Sequence, residues 1–180
     1  MRSAVLNTFE HGDYELRELL DLPVVFISES SKHLVCQLAP TFSFVTHNEA
    51  MQLHIRQLAK RYALTDRMVP GTHLGLTYED FPKLYKHPKS YVERFTTAAR
   101  AAIARGAAML MVAGNPFNMF LVDQGIREID GVPMLDCCTA MVKTAEMQVD
   151  LEQLGTRSST TGLFESPTSE ARARLRQLFI

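Results

Sequence analysis

Five short segments of this 180-residue chain place small polar or nucleophilic residues directly after apolar runs: Asn7-Thr8, Ser28-Glu29-Ser30, Thr46-His47-Asn48, Gly114-Asn115 and Asp136-Cys137-Cys138-Thr139. Hydroxyls, carboxamides and backbone amides in such places suit an oxygen-rich small molecule, above all a carboxylate. The reason is that a helix starting there has N–H groups with no acceptor inside the helix. The same residue types are also ordinary helix caps, and that reading stands beside the first at every one of these positions. Glu29 can serve as an acid or base, or cap the helix after it. Asn48 and Asn115 can donate to an oxyanion or simply shape a turn. His47 lies at the edge of the set and is expected to face solvent. Cys36, between Val35 and Leu38, reads as core filling, as does the stripe of Met109, Met111, Met119 and Met134.

These residues need elements to hold them. Pro23–Ile27, Phe42–Thr46 and Met109–Ala113 are short continuous apolar runs, with Ala4–Leu6 and Val132–Leu135 as weaker versions. Unbroken rather than alternating apolarity predicts parallel strands covered by helices on both faces. Helices are predicted between them over Tyr14–Leu20, Ser30–Ala39 (capped by Ser30 or Ser31), Asn48–Tyr62, Ser90–Arg105, Cys138–Leu154 and Ser169–Leu178. Met51, Ile55, Leu58 and Tyr62 form one helical stripe, and Gly106 and Gly155 sit where helix stops belong. Val69–Leu76 is expected to add a strand, and Tyr78–Pro88 to form a loop, a candidate lid. The alternation of strand and helix implies right-handed crossovers and an α/β fold. In such folds the ligand site lies beyond the carboxyl ends of the strands, where the polar segments fall.

Composition narrows the function classes. The chain is 46% hydrophobic and 22% charged, with net charge −1 and a pI of about 6.6. Lys and Arg are scattered, so no nucleic-acid partner is expected. No apolar run approaches the roughly 20 residues of a membrane span. The N-terminus passes from one basic residue straight into Ala4-Val5-Leu6, unlike a signal peptide, and a cytoplasmic protein is expected. Three cysteines, two of them adjacent, argue for a reducing compartment rather than a disulfide framework. His11, His33, His47, His54, His73 and His87 show no metal-ligand spacing with each other or with cysteine, so no metal is expected.

Several of these segments, taken in order, carry a resemblance. Asp21-Leu22-Pro23-Val24-Val25-Phe26-Ile27-Ser28-Glu29-Ser30 resembles the D-x-P-V-V-x-I-x-E-[AS] run of the aspartate/glutamate/hydantoin racemase superfamily. Phe44 to Glu49 looks like the next strand and its exit. Gly106 to Gly114 is similar to the G-A-[DE]-x-[IV]-[IV] strand, and Asp130 to Asp136 to G-[VA]-P-V-[LI]-[DN]. Leu154-Gly155 through Phe164 resembles the hydantoin-racemase tail. The order and spacing hold from about Ala4 to Pro167.

The resemblance implies two pseudo-symmetric α/β lobes with a substrate cleft between them. It also implies two cysteines facing each other across that cleft, one removing a proton beside a carboxylate or carbonyl and the other returning it, with no cofactor. This sequence departs from the pattern. The first cysteine position falls on Thr8 of Asn7-Thr8-Phe9 and the second on Gly114 of Ala113-Gly114-Asn115. The family also begins with further elements, so the first lobe is expected to be incomplete: residues 1–40 with 156–180 as a partial first lobe, and 41–155 as the second. Cys137 is a substitute candidate, at a strand exit where the start of the next helix would lower its pKa; the competing reading is a small buried residue.

The expected fold is therefore α/β, with mainly parallel sheets and helices on both faces. The expected function is a cofactor-independent isomerase or lyase acting on a small carboxylate or carbonyl compound through an enolate-like intermediate, by a one-base route or by oxyanion stabilisation. Thr8, Asn115 and Cys137 would be catalytic, and Asn7, Glu29, Thr46, Asn48, Gly114 and Asp136 would bind substrate. The alternative is a non-catalytic small-molecule-binding or accessory protein of the same fold. A homo-oligomer is expected, to cover the edge and face that an incomplete lobe exposes.

Overall fold

The structure, a computed structural model, describes residues 5–7, 10–159, 161–162 and 167–178. Ala4, Thr8, Thr160, Leu163 and Phe164, all used in the reading above, lie outside the described residues. The chain divides into two compact units, Met1–Phe26 with Met141–Ile180, and Ile27–Ala140.

In the first unit, β1 (Val5–Asn7) pairs in parallel with β2 (Val24–Phe26) in the register Val5 to Val24 through Asn7 to Phe26. Two parallel neighbours need a crossover, and α1 (Asp13–Leu19) lies within it. Arg17 ties that helix to β2, donating to the Val24 carbonyl at 3.2 Å and lying over the Phe26 ring. Later in the chain, α7 (Ser169–Leu178) follows Pro167 and Thr168, whose hydroxyl accepts from the Ala171 N–H at 3.2 Å.

The second unit contains a five-stranded sheet in the order β4 (Thr72–His73), β3 (Phe42–Thr46), β5 (Met109–Ala113), β7 (Val132–Leu135), β6 (Glu128–Ile129). β3 and β5 pair in parallel along all five residues, from Phe42 with Met109 to Thr46 with Ala113. Every residue of both is buried, the reason their sequences read as unbroken apolar runs. β5 continues in parallel to β7, and β6 closes that side antiparallel. The β6–β7 hairpin turns at Asp130-Gly131, both with positive φ (49° and 79°). That is the backbone an Asp-Gly pair adopts most readily in a two-residue hairpin.

The helices of this unit follow from local chemistry. Asn48 caps α3 (Glu49–Arg61), its Oδ1 accepting from the Met51 N–H at 2.9 Å, and Ile55, Leu58 and Ala59 turn inward. α4 (Pro88–Ile103) starts on proline, tolerated where the N–H has no partner anyway, and buries Tyr91, Phe95, Ala99 and Ala102. α5 (Asn115–Asp123) buries Phe117, Asn118, Phe120 and Leu121. α6 (Cys137–Gln153) follows β7. Phe95, Phe117 and Phe120 meet in the core with Leu110, Val112 and Met134.

Three local expectations change. α2 (Ile27–Leu38) begins directly after β2, so Ile27 is helical and neither Ser30 nor Ser31 caps it. The Ser30 hydroxyl turns back to the Ile27 carbonyl and Ser31 reaches the Cys137 carbonyl at 3.4 Å. Lys32, also on α2, is buried, with Nζ donating to Ser28 Oγ and lying over the Phe44 and Tyr62 rings. The strand expected over Val69–Leu76 shrinks to Thr72–His73, although Val69, Leu74 and Leu76 still donate to β3 and His47 carbonyls. Pro70 has no N–H to give, and Gly71 packs so closely on the Phe44 carbonyl that a Cβ would overlap it. The segment expected to be a loop contains a 3₁₀ turn, Tyr78–Lys83, held by reciprocal bonds between Thr77 and Asp80.

Candidate active site

The carboxyl ends of β3, β5 and β7 lie side by side in the second unit, and three of the polar segments fall on them. At the β3 end, Thr46 is fully buried and donates from its hydroxyl to the Asn48 carbonyl at 2.9 Å. Asn48 is the cap already described. At the β5 end, Gly114 has φ 117°, a conformation that side chains resist, and its carbonyl accepts from both Phe117 and Asn118 as α5 begins. The Asn115 carboxamide makes no hydrogen bond to another described residue. At the β7 end, Asp136 accepts from the Cys138 N–H (3.1 Å), the Thr139 N–H (3.3 Å) and the Thr139 hydroxyl (2.6 Å), and so caps α6.

Asn118 joins two of these ends. Its Nδ2 donates to Asp136 at 2.7 Å while its Oδ1 accepts from the Cys137 N–H at 3.3 Å. The carboxamide is 1% exposed, and both halves are used. Burial opposes the charge on Asp136, but the bonds from Thr139, Asn118 and Cys138 outweigh it, and the carboxyl stays below its ordinary pKa.

Cys137 does not behave as its position suggested. The thiol is 3% exposed, and burial pushes it up to about 11 despite its place at the start of α6. Desolvation of a thiolate outweighs the helix terminus here, because the amides of that first turn are directed to Asn118 and Asp136. At neutral pH Cys137 is a protonated thiol. Maleimide labelling of native protein at pH 8, read by peptide mass spectrometry, should modify half-buried Cys36 first. Cys137 should react only on unfolding.

His47 is the other departure. Rather than facing solvent it is 3% exposed, between the Tyr78 ring (5.6 Å) and the Phe81 ring (5.5 Å) of the 3₁₀ turn. Burial lowers its pKa; the Ala113 carbonyl acts the other way and does not offset this. The imidazole is therefore neutral at pH 7.

The other expected site residues are distributed as follows. Glu29 lies in the first turn of α2, half-buried, and is not its cap. Asn7 ends β1 in the first unit, paired with Phe26 through the backbone. Asn118 had no place in the sequence reading because α5 itself went unseen; the spacing of Phe117, Phe120 and Leu121 after Gly114 was its signal.

Among the described residues, no group of three His, Cys, Asp or Glu side chains is arranged to hold a metal. No described helix is long and apolar enough to cross a membrane.

The family model for Asp/Glu/hydantoin racemase matches residues 5–145. The chain is 29% identical over 156 residues to a hydantoin racemase of Pseudomonas sp. (strain NS671), covering 87% of this chain and 60% of that protein. It is 27% identical over 159 residues to a hydantoin racemase of Paenarthrobacter aurescens, covering 86% and 63%. It thus spans about three-fifths of the length of these relatives. Among solved structures, an allantoin racemase from Pseudomonas fluorescens superposes with a TM-score of 0.77 at 28% identity, over 92% of this chain and 68% of that one. An allantoin racemase from Klebsiella pneumoniae gives 0.71 at 20% identity, over 92% and 66%, a likeness of fold.

Proposed function

Because this chain belongs to the Asp/Glu/hydantoin racemase family, we propose that it moves a proton on a small carboxylate or carbonyl compound through an enolate-like intermediate, with no cofactor. Hydantoins are the first substrates to test: hydantoin racemases are among its relatives, and the C5 hydrogen of a hydantoin lies beside a carbonyl. The chemistry differs from exchange between two thiols, since Gly114 offers none and Thr8 stands at the other position.

The observation that carries this reading is the Asn118 bridge. By holding Asp136 and the Cys137 N–H together, it fixes the starts of α5 and α6 at the ends of adjacent strands. Two positive helix ends on one sheet edge favour an oxygen that gains negative charge, and a fixed edge loses little in reorganising for it. Asn115 supplies a further donor beside Gly114, and Cys137, held as a thiol, can act as a donor rather than a base.

The test is deuterium wash-in at the carbon beside the carbonyl of 5-methylhydantoin, allantoin and a panel of small α-substituted carboxylates, followed by proton NMR. Exchange that outruns loss of optical rotation is the expected result, because a single base returns its proton to the face it came from. A second reading, a binding protein that keeps the fold without the chemistry, is favoured by the protonated state of Cys137. Compounds that raise the melting temperature yet exchange no hydrogen would select it and overturn the first.

A further inference from the structure

His47 is a buried base with nothing to hold it. Neither ring nitrogen has a well-formed hydrogen bond among the described residues, although the Ala113 carbonyl lies near enough to favour the protonated ring. Leaving such a group buried and unpaired costs about 1–3 kcal/mol, and the few that occur call for a reason. Here the reason lies in what the ring faces. A side-chain carbon built on Gly114 would come 3.3 Å from Nδ1 of His47. The imidazole thus borders the space that the absent side chain at 114 leaves open, at the end of β5.

Resting on the function proposed above, we infer that His47 is the group that removes and returns the substrate proton. A substrate carbon placed where the side chain of residue 114 would begin lies at near-attack distance from Nδ1, about 3–3.5 Å. Nδ1 takes the hydrogen as a proton. The C–H electron pair becomes the second bond to the carbonyl carbon, and the carbonyl π pair moves onto oxygen, giving the enolate. The imidazolium then returns a proton to the same carbon as the oxygen's pair moves back. Nothing is oxidised or reduced, and no other reactant is needed.

Access is through a thin cover. Tyr78 is 69% exposed although it touches the ring, so one side chain separates His47 from water on that side. The covering turn is attached at its base, where the Leu76 N–H donates to the His47 carbonyl at 2.7 Å, just after Gly75 with φ 63°. A short turn hinged there can lift without disturbing β3. Tyr78 is the titratable side chain in ring contact with His47. Asp80, on the same turn, is tied to Thr77 and Lys83, Glu49 of α3 is exposed, and β5 and α5 bring Ala113, Gly114 and Asn115. The imidazole keeps its free base form below the ordinary histidine range, and proton abstraction should persist there too.

The experiment compares wild type with His47→Gln and His47→Ala, measuring exchange at C5 of 5-methylhydantoin in deuterium oxide across pH. His47→Gln should lower the rate about 100-fold, within the range for a general base, and remove the acid limb of the pH profile. Added imidazole should restore part of the rate in His47→Ala. Exchange by His47→Gln within threefold of wild type would overturn the assignment while leaving the proposed function intact. Ring-nitrogen NMR of the unaltered protein gives an independent reading: the His47 signals should move on adding the hydantoin, and unmoved signals during active exchange would also overturn it. Wild type whose His47 signals move while nothing exchanges would sink the proton-transfer function, and this base with it.

Discussion

Replacing Asp136 with alanine is expected to cost about 2–4 kcal/mol of stability, read as a fall in the urea midpoint at unchanged slope. Two effects add. Loss of an N-terminal cap removes about 0.5–2 kcal/mol, here from α6, whose Cys138 and Thr139 amides Asp136 accepts. The second effect is at Asn118. Its buried Nδ2 would keep its donor and lose its acceptor, at about 1–3 kcal/mol. pH gives a sharper signature. The folded-state pKa of Asp136 is lowered, so its stabilising contribution is fully present above the unfolded carboxylate value of about 3.9. That contribution is lost as pH falls through the lower folded value. The gap between wild type and Asp136→Asn should accordingly be widest above pH 4 and narrow on further acidification. A gap independent of pH between 2 and 7 would mean that the charge contributes nothing.

Phe117→Ala should be more damaging, at about 3–5 kcal/mol, the usual range for a buried phenylalanine. Phe117 is 1% exposed, with its ring 6.1 Å from that of Phe95 and 5.6 Å from that of Phe120. It also lies in the first turn of α5, three residues after Gly114 and next to Asn118. A cavity there lets the helix start settle, and the geometry at Gly114 goes with it. Activity should therefore fall further than the loss of folded protein explains, when measured at a temperature where the variant remains folded. A loss of less than 1 kcal/mol would show that the aromatic cluster is loosely packed.

The fold was legible where burial alone dictates sequence. Phe42–Thr46 and Met109–Ala113 are covered on both faces, so every position is constrained and the run declares itself. Legibility failed where a turn of backbone decided the matter. Asn115–Asp123 begins with a glycine, an asparagine and a proline, residues that read as a loop until Phe117, Phe120 and Leu121 are seen to share one face. Glu128–Ile129 is too short to announce itself, although Asp130-Gly131 marks its hairpin. At the site, the positions were legible and the states were not. Cys137 does stand where a helix begins, but the direction of its pKa follows from burial, which depends on residues distant in sequence. His47 read as exposed because Asn48 and Glu49 after it are polar. What covers it comes from Tyr78 and Phe81, some thirty residues on.

The division of the chain has a consequence for how the protein comes into being. Residues 27–140 form one uninterrupted unit, whereas the other is assembled from Met1–Phe26 and Met141–Ile180. A ribosome releases β1, α1 and β2 first, yet the second half of their unit leaves only after all of the uninterrupted one has been made. Domains tend to form as units in the order of their emergence, and joining distant segments carries a closure entropy that grows slowly with the intervening length. The unit that starts first therefore finishes last. Until then its opening strands depend on partners that have not yet been translated, while β3 and β5 can already pair.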